Sequence, residues 1–222
     1  MAIKAPLILQ LQVGLTKSYG TEGAADPMDQ PWTTAIFKEP VEGPVWLSFT
    51  GLAGDQQTDD DHGGPEMAVM SYSAEHYPVW RDELKMPFLK HGAFGENFTV
   101  SRMDEQSVCI GDTYTIGDAR VQVSMPRRPC WKLARRLRTN EIIERVHAKA
   151  WGGWYGRVLK EGFVERSSFV VLEDRPYPQW TVARTYEVYH HRKQDRQPAL
   201  ELADCTLLAP TWRERLRNPS TS

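Results

Sequence analysis

Short runs of β-prone residues, separated by glycine, proline and aspartate, fill the first three quarters of this chain. Runs this short suit strands better than helices, and the frequent turn residues limit the length of each strand. Many short strands with close turns are typical of a barrel or a sandwich. The predicted strands are Leu7–Val13, Thr34–Phe37, Val45–Phe49, Ala68–Tyr72, Ser107–Ile110, Tyr114–Ile116, Arg120–Val123 and Ser168–Leu172.

Helical patterns interrupt these strands and dominate the end of the chain. In the first part, apolar residues recur at helical spacing in Ala74–Leu84, in the residues after Pro129 and in Asn140–Ala150. Beyond Pro178, three further helices are predicted over Thr181–Arg192, Ala199–Cys205 and Pro210–Arg217. A bundle this small buries little apolar surface alone, so we expect it to pack on the main domain. The predicted units are a main domain over 1–178, a tri-helical domain over 179–218 and a tail over 219–222.

The composition bounds the class of protein. With 41% hydrophobic residues, 25% charged residues and a formal net charge of -2, the chain is ordinary for a globular protein. This balance gives no global reason to expect binding to nucleic acid or membranes. The segment from Met1 to Gly14 is only mildly apolar and predicts an opening strand, not a signal peptide. No later run approaches the ~18 apolar residues of a membrane helix.

Three widely spaced cysteines, Cys109, Cys130 and Cys205, suit neither a disulfide framework nor a zinc site. They indicate a reducing compartment, and the cytoplasm is the expected location. Cys130 precedes a predicted helix, whose partial positive charge favours a thiolate, the form that binds soft metals. Three basic residues would add to this effect: Arg127, Arg128 and Lys132. The alternative is a buried, inert cysteine, which is the interpretation we favour for Cys109 and Cys205.

Glycines and carboxylates alternate between Gly51 and Pro65. Gly51–Asp55 suits a tight turn near a ligand. Asp59–Asp61 resembles part of a calcium loop, but the glycine and glutamate of an EF-hand are out of place, which leaves a solvated acidic turn. In His62-Gly63-Gly64, two glycines would expose backbone N–H groups to an anion such as phosphate.

Two further segments carry weaker signals. In Phe94–Phe98, the amide of Asn97 would both donate and accept hydrogen bonds against a heterocycle. The alternative is a β-turn with an exposed polar pair. Gly152–Arg157 is either a glycine-bordered aromatic wall or simply a bend.

Taken together, these segments resemble the MOSC family, named for the C-terminal domain of molybdenum cofactor sulfurase, and within it the YiiM-like branch. Each segment is modest alone, but the ordered set is specific and spans most of Thr34 to Arg157. The three C-terminal helices resemble the tri-helical domain of that branch. The matching segments are Thr34–Lys38, Gly51–Asp55, His62–Pro65, His76–Trp80, Phe94–Phe98, Pro126–Cys130 and Gly153–Tyr155.

The resemblance implies a β-rich α+β fold, namely a MOSC-type mixed β-barrel with flanking helices and a small C-terminal three-helix bundle. It implies the molybdenum cofactor (molybdopterin), in which a pterin dithiolene holds the metal and Cys130 ligates it. Basic residues would meet the pterin phosphate, with Lys38, His62 and Arg128 as the candidates, and Asp55 and Asn97 would line the pocket. The candidate cofactor-binding residues are Lys38, Asp55, His62, Gly63, Gly64, Asn97, Arg128 and Cys130.

The implied activity is reduction of N-hydroxylated compounds, for example detoxification of N-hydroxylated purine bases, without pyridoxal phosphate. Cys130 and His62 are the candidate catalytic residues. His62 would supply a proton to the departing oxygen, or it is a hydrogen-bonded structural histidine.

The sequence has no iron–sulfur or flavin motif, so electrons would come from a separate redox protein. A basic surface near the C-terminal helices would receive an acidic protein of this kind, or it is merely solvated. Its residues are Arg184, Arg192, Lys193 and Arg196. The oligomeric state stays open, a homodimer included.

Two other functions compete with the reductase. One is a non-catalytic carrier of the molybdenum cofactor, or a sulfur-transfer module in which Cys130 holds a persulfide. The other is a small-ligand-binding domain whose cysteine is structural.

Overall fold

The computed structural model describes residues 5–58 and 62–219, so Asp59–Asp61 and most of the predicted tail lie outside the described residues. Within these ranges the chain is a β-rich α+β protein, which confirms the predicted fold class. Its strands are β1 (Ile8–Val13), β2 (Lys17–Tyr19), β3 (Trp32–Thr34), β4 (Glu39–Pro40), β5 (Val45–Ser48), β6 (Gly51–Leu52), β7 (Val69–Ser73), β8 (Phe98–Val100), β9 (Thr113–Ile116), β10 (Ala119–Pro126), β11 (Trp154–Lys160), β12 (Gly162–Val164) and β13 (Val170–Asp174). Its α-helices are α1 (His76–Glu83), α2 (Trp131–Leu137), α3 (Ile142–Lys149), α4 (Val182–His191), α5 (Arg196–Ala203) and α6 (Pro210–Arg217).

Eight strands form one large sheet in the order β13-β9-β10-β11-β7-β8-β1-β4. Strands β7 and β8 are parallel, and the other pairs of this sheet are antiparallel. Nearly every residue of the long strand β10 is buried, including Gln122 and Ser124, the polar residues that alternate with its apolar ones. Strands β12, β5 and β6 form a second sheet, and β2 and β3 pair with each other.

The expected β-barrel is wrong, because the large sheet is open and ends at β13 and β4. The start of the chain does approach the last strand. One isolated bridge joins Leu7 to Phe169, and Ile8 N donates to Ser168 O at 3.0 Å. Beyond this bridge, β4 pairs with the edge of β1 that would have to pair with β13 to close a barrel. The pairing between the two ends of the sheet therefore goes no further.

Two predicted strands are also wrong. Ser107–Ile110 is a turn, buried from Val108 onwards, because Asp104 Oδ1 accepts from Ser107 N at 2.9 Å and Asp112 Oδ2 accepts from Cys109 N at 2.8 Å. These carboxylates take the backbone donors that a strand ladder would use. Thr34–Phe37 keeps only its first residue in β3.

One hydrophobic core joins the large sheet to the C-terminal helices. Val123 and Met125 of β10 belong to the same cluster as Tyr189, Trp212 and Leu216. The three helices therefore pack on the sheet, as expected from their small size. The domain boundary after residue 178 stays a prediction.

A second hydrophobic cluster packs α1, α2 and α3 together. It includes Tyr72 of β7, Trp80, Leu133 and Val146, all buried. This packing fixes where α2 begins relative to the sheet. Across the described ranges, no helix combines the length and the apolar content needed to span a bilayer.

Candidate functional site

A cavity of about 520 Å³ lies beside the end of β10. Small-molecule and cofactor sites typically have volumes of roughly 300–1,000 Å³. The structure gathers most of the predicted cofactor-binding residues around this cavity, although they are far apart in the sequence; Arg128 is not among its lining residues. Those that line it are Lys38, Asp55, His62, Gly63, Gly64, Asn97 and Cys130.

Cys130 is half-buried and immediately precedes α2, with an extended backbone (φ -109°, ψ 170°). Burial alone would raise the pKa of its thiol. A hydrogen bond with His62, the positive charge of Arg127 and the backbone N–H of Lys132 outweigh burial, and the pKa falls from 9.0 to about 7. Much of the sulfur is therefore thiolate at neutral pH, the form that ligates soft metals or acts as a nucleophile.

The other two cysteines lie in different surroundings. Cys109 and Cys205 are each only 2% exposed, and burial raises the pKa of both thiols. Neither lines the cavity. Cys130 is thus the cysteine that the fold presents to a ligand.

His62 and the two glycines after it form the part of the lining next to the thiol. His62 hydrogen-bonds the sulfur of Cys130. Gly63 and Gly64 have φ angles of +86° and +78°, a region that glycine adopts without the strain of other residues. A Cβ built on Gly64 would meet no atom of the described residues within 4 Å, so ligand atoms have room to approach this backbone.

Lys38, Asp55 and Asn97 form a hydrogen-bonded chain on the cavity lining. Lys38 Nζ pairs with Asp55 Oδ1, and Asp55 Oδ2 accepts from Asn97 Nδ2 at 2.9 Å. Burial lowers the pKa of Lys38, against the opposing effect of Asp55. Asn97 Oδ1 also accepts from Met70 N at 3.0 Å, so this amide is largely used within the protein. The chain is a rigid polar part of the lining, with Lys38 already charge-paired.

Arg127, which the sequence predicted to add positive charge near Cys130, is a site residue that the predicted cofactor-binding set did not include. Its side chain lines the cavity, is 4% exposed and donates through Nη2 to Phe94 O at 3.1 Å. Its Nη1 is buried and has no hydrogen-bond partner in the described part of the chain. Buried guanidinium groups normally satisfy all their donors, so Nη1 marks a place for an acceptor that a ligand would bring.

Arg128, the predicted phosphate ligand, lies outside the cavity. It donates to Tyr189 Oη at 3.1 Å, and its guanidinium lies over the Tyr189 ring at 5.1 Å. Strand alternation explains why the two arginines lie in different places, because successive side chains of a strand point to opposite faces. Arg127 N donates to Gly153 O at 2.9 Å and so continues the pairing of β10 with β11 for one more residue.

Among the described residues of the lining, positive charge exceeds negative charge. Lys38, Arg127 and Lys132 are the cations of this set, and Asp55 is its one carboxylate. Lys132 Nζ donates to Thr58 Oγ1 at 2.8 Å, which holds it at the cavity. Cationic side chains, an accessible stretch of backbone at Gly64 and a thiolate together suit an anionic ligand that carries a soft metal.

Comparison with known families gives two matches that together cover most of the chain. The model of the MOSC domain matches residues 58–170. The model of the YiiM-like 3-alpha helix domain matches residues 180–218, the segment that forms α4, α5 and α6.

Individual proteins extend these matches. A Gibberella moniliformis protein named "Reductase" is 36% identical over 97% of this chain, which spans 38% of that longer protein. The uncharacterized protein YflK of Bacillus subtilis is 38% identical over 81% of each chain. The crystal structure of YiiM from Geobacillus stearothermophilus superposes with a TM-score of 0.80 at 30% identity, covering 96% of this chain and 98% of that one.

Proposed function

Because this chain belongs to the MOSC domain family and carries a YiiM-like 3-alpha helix domain, we propose that it is a reductase that binds the molybdenum cofactor through Cys130 and reduces N-hydroxylated compounds. N-hydroxylated purine bases are the expected substrate class. The observation that carries this proposal is a thiol with a pKa of about 7 that lines a 520 Å³ cavity. The incompletely bonded guanidinium of Arg127 lines the same cavity.

A named relative supports a reductase over a carrier. The Gibberella protein named "Reductase" is 36% identical over almost the whole of this chain. This chain spans 38% of that protein, little more than a third. Any step of its activity that depends on the rest of that protein is therefore not inferred for this chain. The reductase assignment therefore concerns the cofactor-binding part and leaves the electron supply to a partner.

The residues present fit a metallated pterin that carries a phosphate. The Cys130 thiolate would ligate molybdenum. Arg127 Nη1 and the ammonium of Lys132 would donate to phosphate oxygens, with the backbone at Gly64 close enough for contact. When bound, the cofactor supplies two-electron redox chemistry, and the protein supplies orientation and charge.

The reaction balances as R–NH–OH plus two electrons and two protons, giving R–NH2 and water. The protein must hold the base and deliver a proton to the departing oxygen. His62, beside the Cys130 sulfur, is the candidate acid. Trp46 lines the cavity, is 40% exposed and contacts Phe163 with ring centroids 5.1 Å apart, so it offers a planar base a stacking surface.

The test is an anaerobic assay of molybdenum-loaded protein with reduced methyl viologen and a panel of N-hydroxylated bases. We expect the amino base to form with oxidation of two viologens per turnover. Cys130→Ser should lose at least about a hundredfold in rate, because the metal loses its protein ligand. Cys205→Ala, at a cysteine remote from the cavity, is the matched control and should stay near wild type.

Two outcomes would contradict the proposal. One is the absence of any reduction across a broad panel by protein that holds molybdenum. The other is cyanide-releasable sulfur on Cys130 without reduction, which would favour the sulfur-transfer module.

A further inference from the structure

A second group of basic side chains lies outside the cavity, where α3 meets α4. This cationic patch consists of Arg128, His147, His190 and Arg192. Arg128 and His190 are the more exposed members, with the ring of His190 partly covered, whereas His147 and Arg192 are half-buried. The patch overlaps the basic surface predicted from the sequence only at Arg192.

Two other residues of the predicted surface have different roles. Arg184 lies over the ring of Trp180 at 5.5 Å. Arg196 donates to Arg192 O at 3.1 Å and to Leu216 O at 2.8 Å, which ties α5 to its neighbours. The guanidinium of Arg196 is therefore occupied within the helical bundle, and that of Arg184 packs on Trp180 rather than on Tyr189.

Tyr189 organises the two arginines of the patch. The guanidinium carbons of Arg128 and Arg192 lie 5.1 Å and 4.1 Å from the centre of its ring. The rings of His147 and His190 lie 4.7 Å apart between centroids. Two guanidinium cations and two imidazole rings are thus held in one compact surface, with little side-chain freedom to lose when a partner docks.

The arginines supply the positive charge of the patch. The main permanent charges that act on its two histidines are those of Arg128, on both rings, and of Arg192, on His190. Burial and then these charges lower the pKa of His147, and they lower that of His190 to about 4. The buried Nε of Arg192 has no hydrogen-bond partner among the residues described. A surface of this kind is complementary to carboxylates on a partner.

A single layer of backbone separates the patch from the cavity. Gly152 lies in this layer, where there is no room for a side chain: a Cβ there would lie 2.2 Å from Arg127 O and 3.7 Å from Tyr186 Cε2. Tyr186 hydrogen-bonds His147 of the patch, and Arg127 lines the cavity. A partner on the patch would therefore lie directly behind the segment that leads to Cys130.

We propose that the cationic patch docks an acidic electron-transfer protein, which is oxidised there and delivers the two electrons that reduction in the cavity consumes. This inference rests on the proposed function. Nucleic acid is a poorer partner, because the whole chain carries a net charge of -2 and the patch has only four basic residues.

The test supplies the molybdenum-loaded protein with electrons in two ways. Acidic flavodoxin must dock to deliver them, whereas reduced methyl viologen needs no docking surface. Arg192→Gln removes one positive charge and Arg192→Glu reverses it, and Arg184→Glu is the matched control on the same helix. At low ionic strength we expect the flavodoxin rate constant to fall about threefold for Arg192→Gln and about tenfold for Arg192→Glu. Flavodoxin binding, measured by titration, should weaken in the same order, while the viologen rate stays unchanged and Arg184→Glu behaves as wild type.

Equal binding and equal flavodoxin rates in wild type and Arg192→Glu would overturn the proposal. So would a DNA oligonucleotide that binds at Arg192 where flavodoxin does not. Failure of the proposed function gives a different result, since methyl viologen would then support no substrate reduction in wild type. That result overturns the role of the patch in delivering electrons to the cavity, even if flavodoxin binding still depends on Arg192.

Discussion

The side chains of Arg127 and Arg128 leave the end of β10 in opposite directions, and this decides which of them a cofactor can touch. Arg127 points to the cavity, where its Nη1 lacks a partner within the described ranges. Arg128 points to Tyr189 on the other side of the strand. Two neighbours of identical charge therefore differ in what their removal should cost.

Replacing each arginine by glutamine tests this difference. Arg127→Gln should lower the molybdenum content of purified protein by about tenfold, because it removes the buried donor that faces the cavity. Arg128→Gln should keep wild-type content. The measurement is molybdenum per chain, with circular dichroism to verify that both variants fold. Equal loss in the two variants would remove the special role of Arg127.

The reactivity of Cys130 follows from its low pKa. In metal-free protein, its alkylation rate should rise with pH through a midpoint near 7, because only the thiolate reacts. His62→Ala should move this midpoint upward, since it removes a hydrogen bond that stabilises the thiolate. Mass spectrometry after iodoacetamide treatment gives the rates, with Cys109 and Cys205 as slow internal controls. A midpoint of Cys130 as high as that of the buried thiols would contradict the account.

The chemistry at Cys130 could be inferred from its neighbours in the sequence, whereas the role of Arg127 could not. The predicted strand ends at Val123, so its alternation was not continued as far as residue 127. The structure extends β10 to Pro126 and pairs Arg127 N with Gly153 O. That pairing depends on β11, which no local pattern predicted.

At the scale of elements, prediction succeeded where local signals suffice. Proline at the start of α6 and Thr181 as the N-cap of α4 mark helices that the sequence locates well. Short strands such as β4, β6 and β12 were not predicted, because they exist only through pairing with distant segments. The turn at Ser107–Ile110 was missed because carboxylates, not hydropathy, determine it.

The contact between α3 and α4 should make stability depend on pH. Burial and neighbouring cations lower the pKa of His190 from 6.5 to about 4 in the folded state. Below pH 6.5 the unfolded chain therefore binds a proton that the folded chain does not, and the free energy of unfolding falls as the pH drops towards 4. His190→Asn should weaken this dependence between pH 7.5 and 5, measured as the denaturant midpoint. His191→Asn is the control, and an identical pH dependence in both variants would contradict the prediction.

At the scale of the whole molecule, one core crosses from the sheet into the C-terminal helices. The small size of the bundle predicted that it packs on the main domain, but not on which sheet, because a helical face does not reveal which sheet it packs on. The open edge of the sheet was equally hidden, since it depends on β4 occupying the edge of β1. The resemblance to the family did predict the helical domain itself.

This shared core predicts cooperative unfolding. Because Tyr189 and Trp212 share a cluster with Val123 and Met125, the helices should not unfold before the sheet. Urea titrations followed by tryptophan fluorescence and by far-ultraviolet circular dichroism should give the same midpoint. Two separated transitions would show that the helices fold independently.

Molybdenum analysis of wild type beside Cys130→Ser decides whether Cys130 holds the metal. Both proteins are produced in cells that make the cofactor and are purified in parallel, with Cys205→Ala as the control. We predict close to one molybdenum atom per chain in wild type and Cys205→Ala, and almost none in Cys130→Ser. Equal molybdenum in wild type and a folded Cys130→Ser, or none in either, would contradict this prediction.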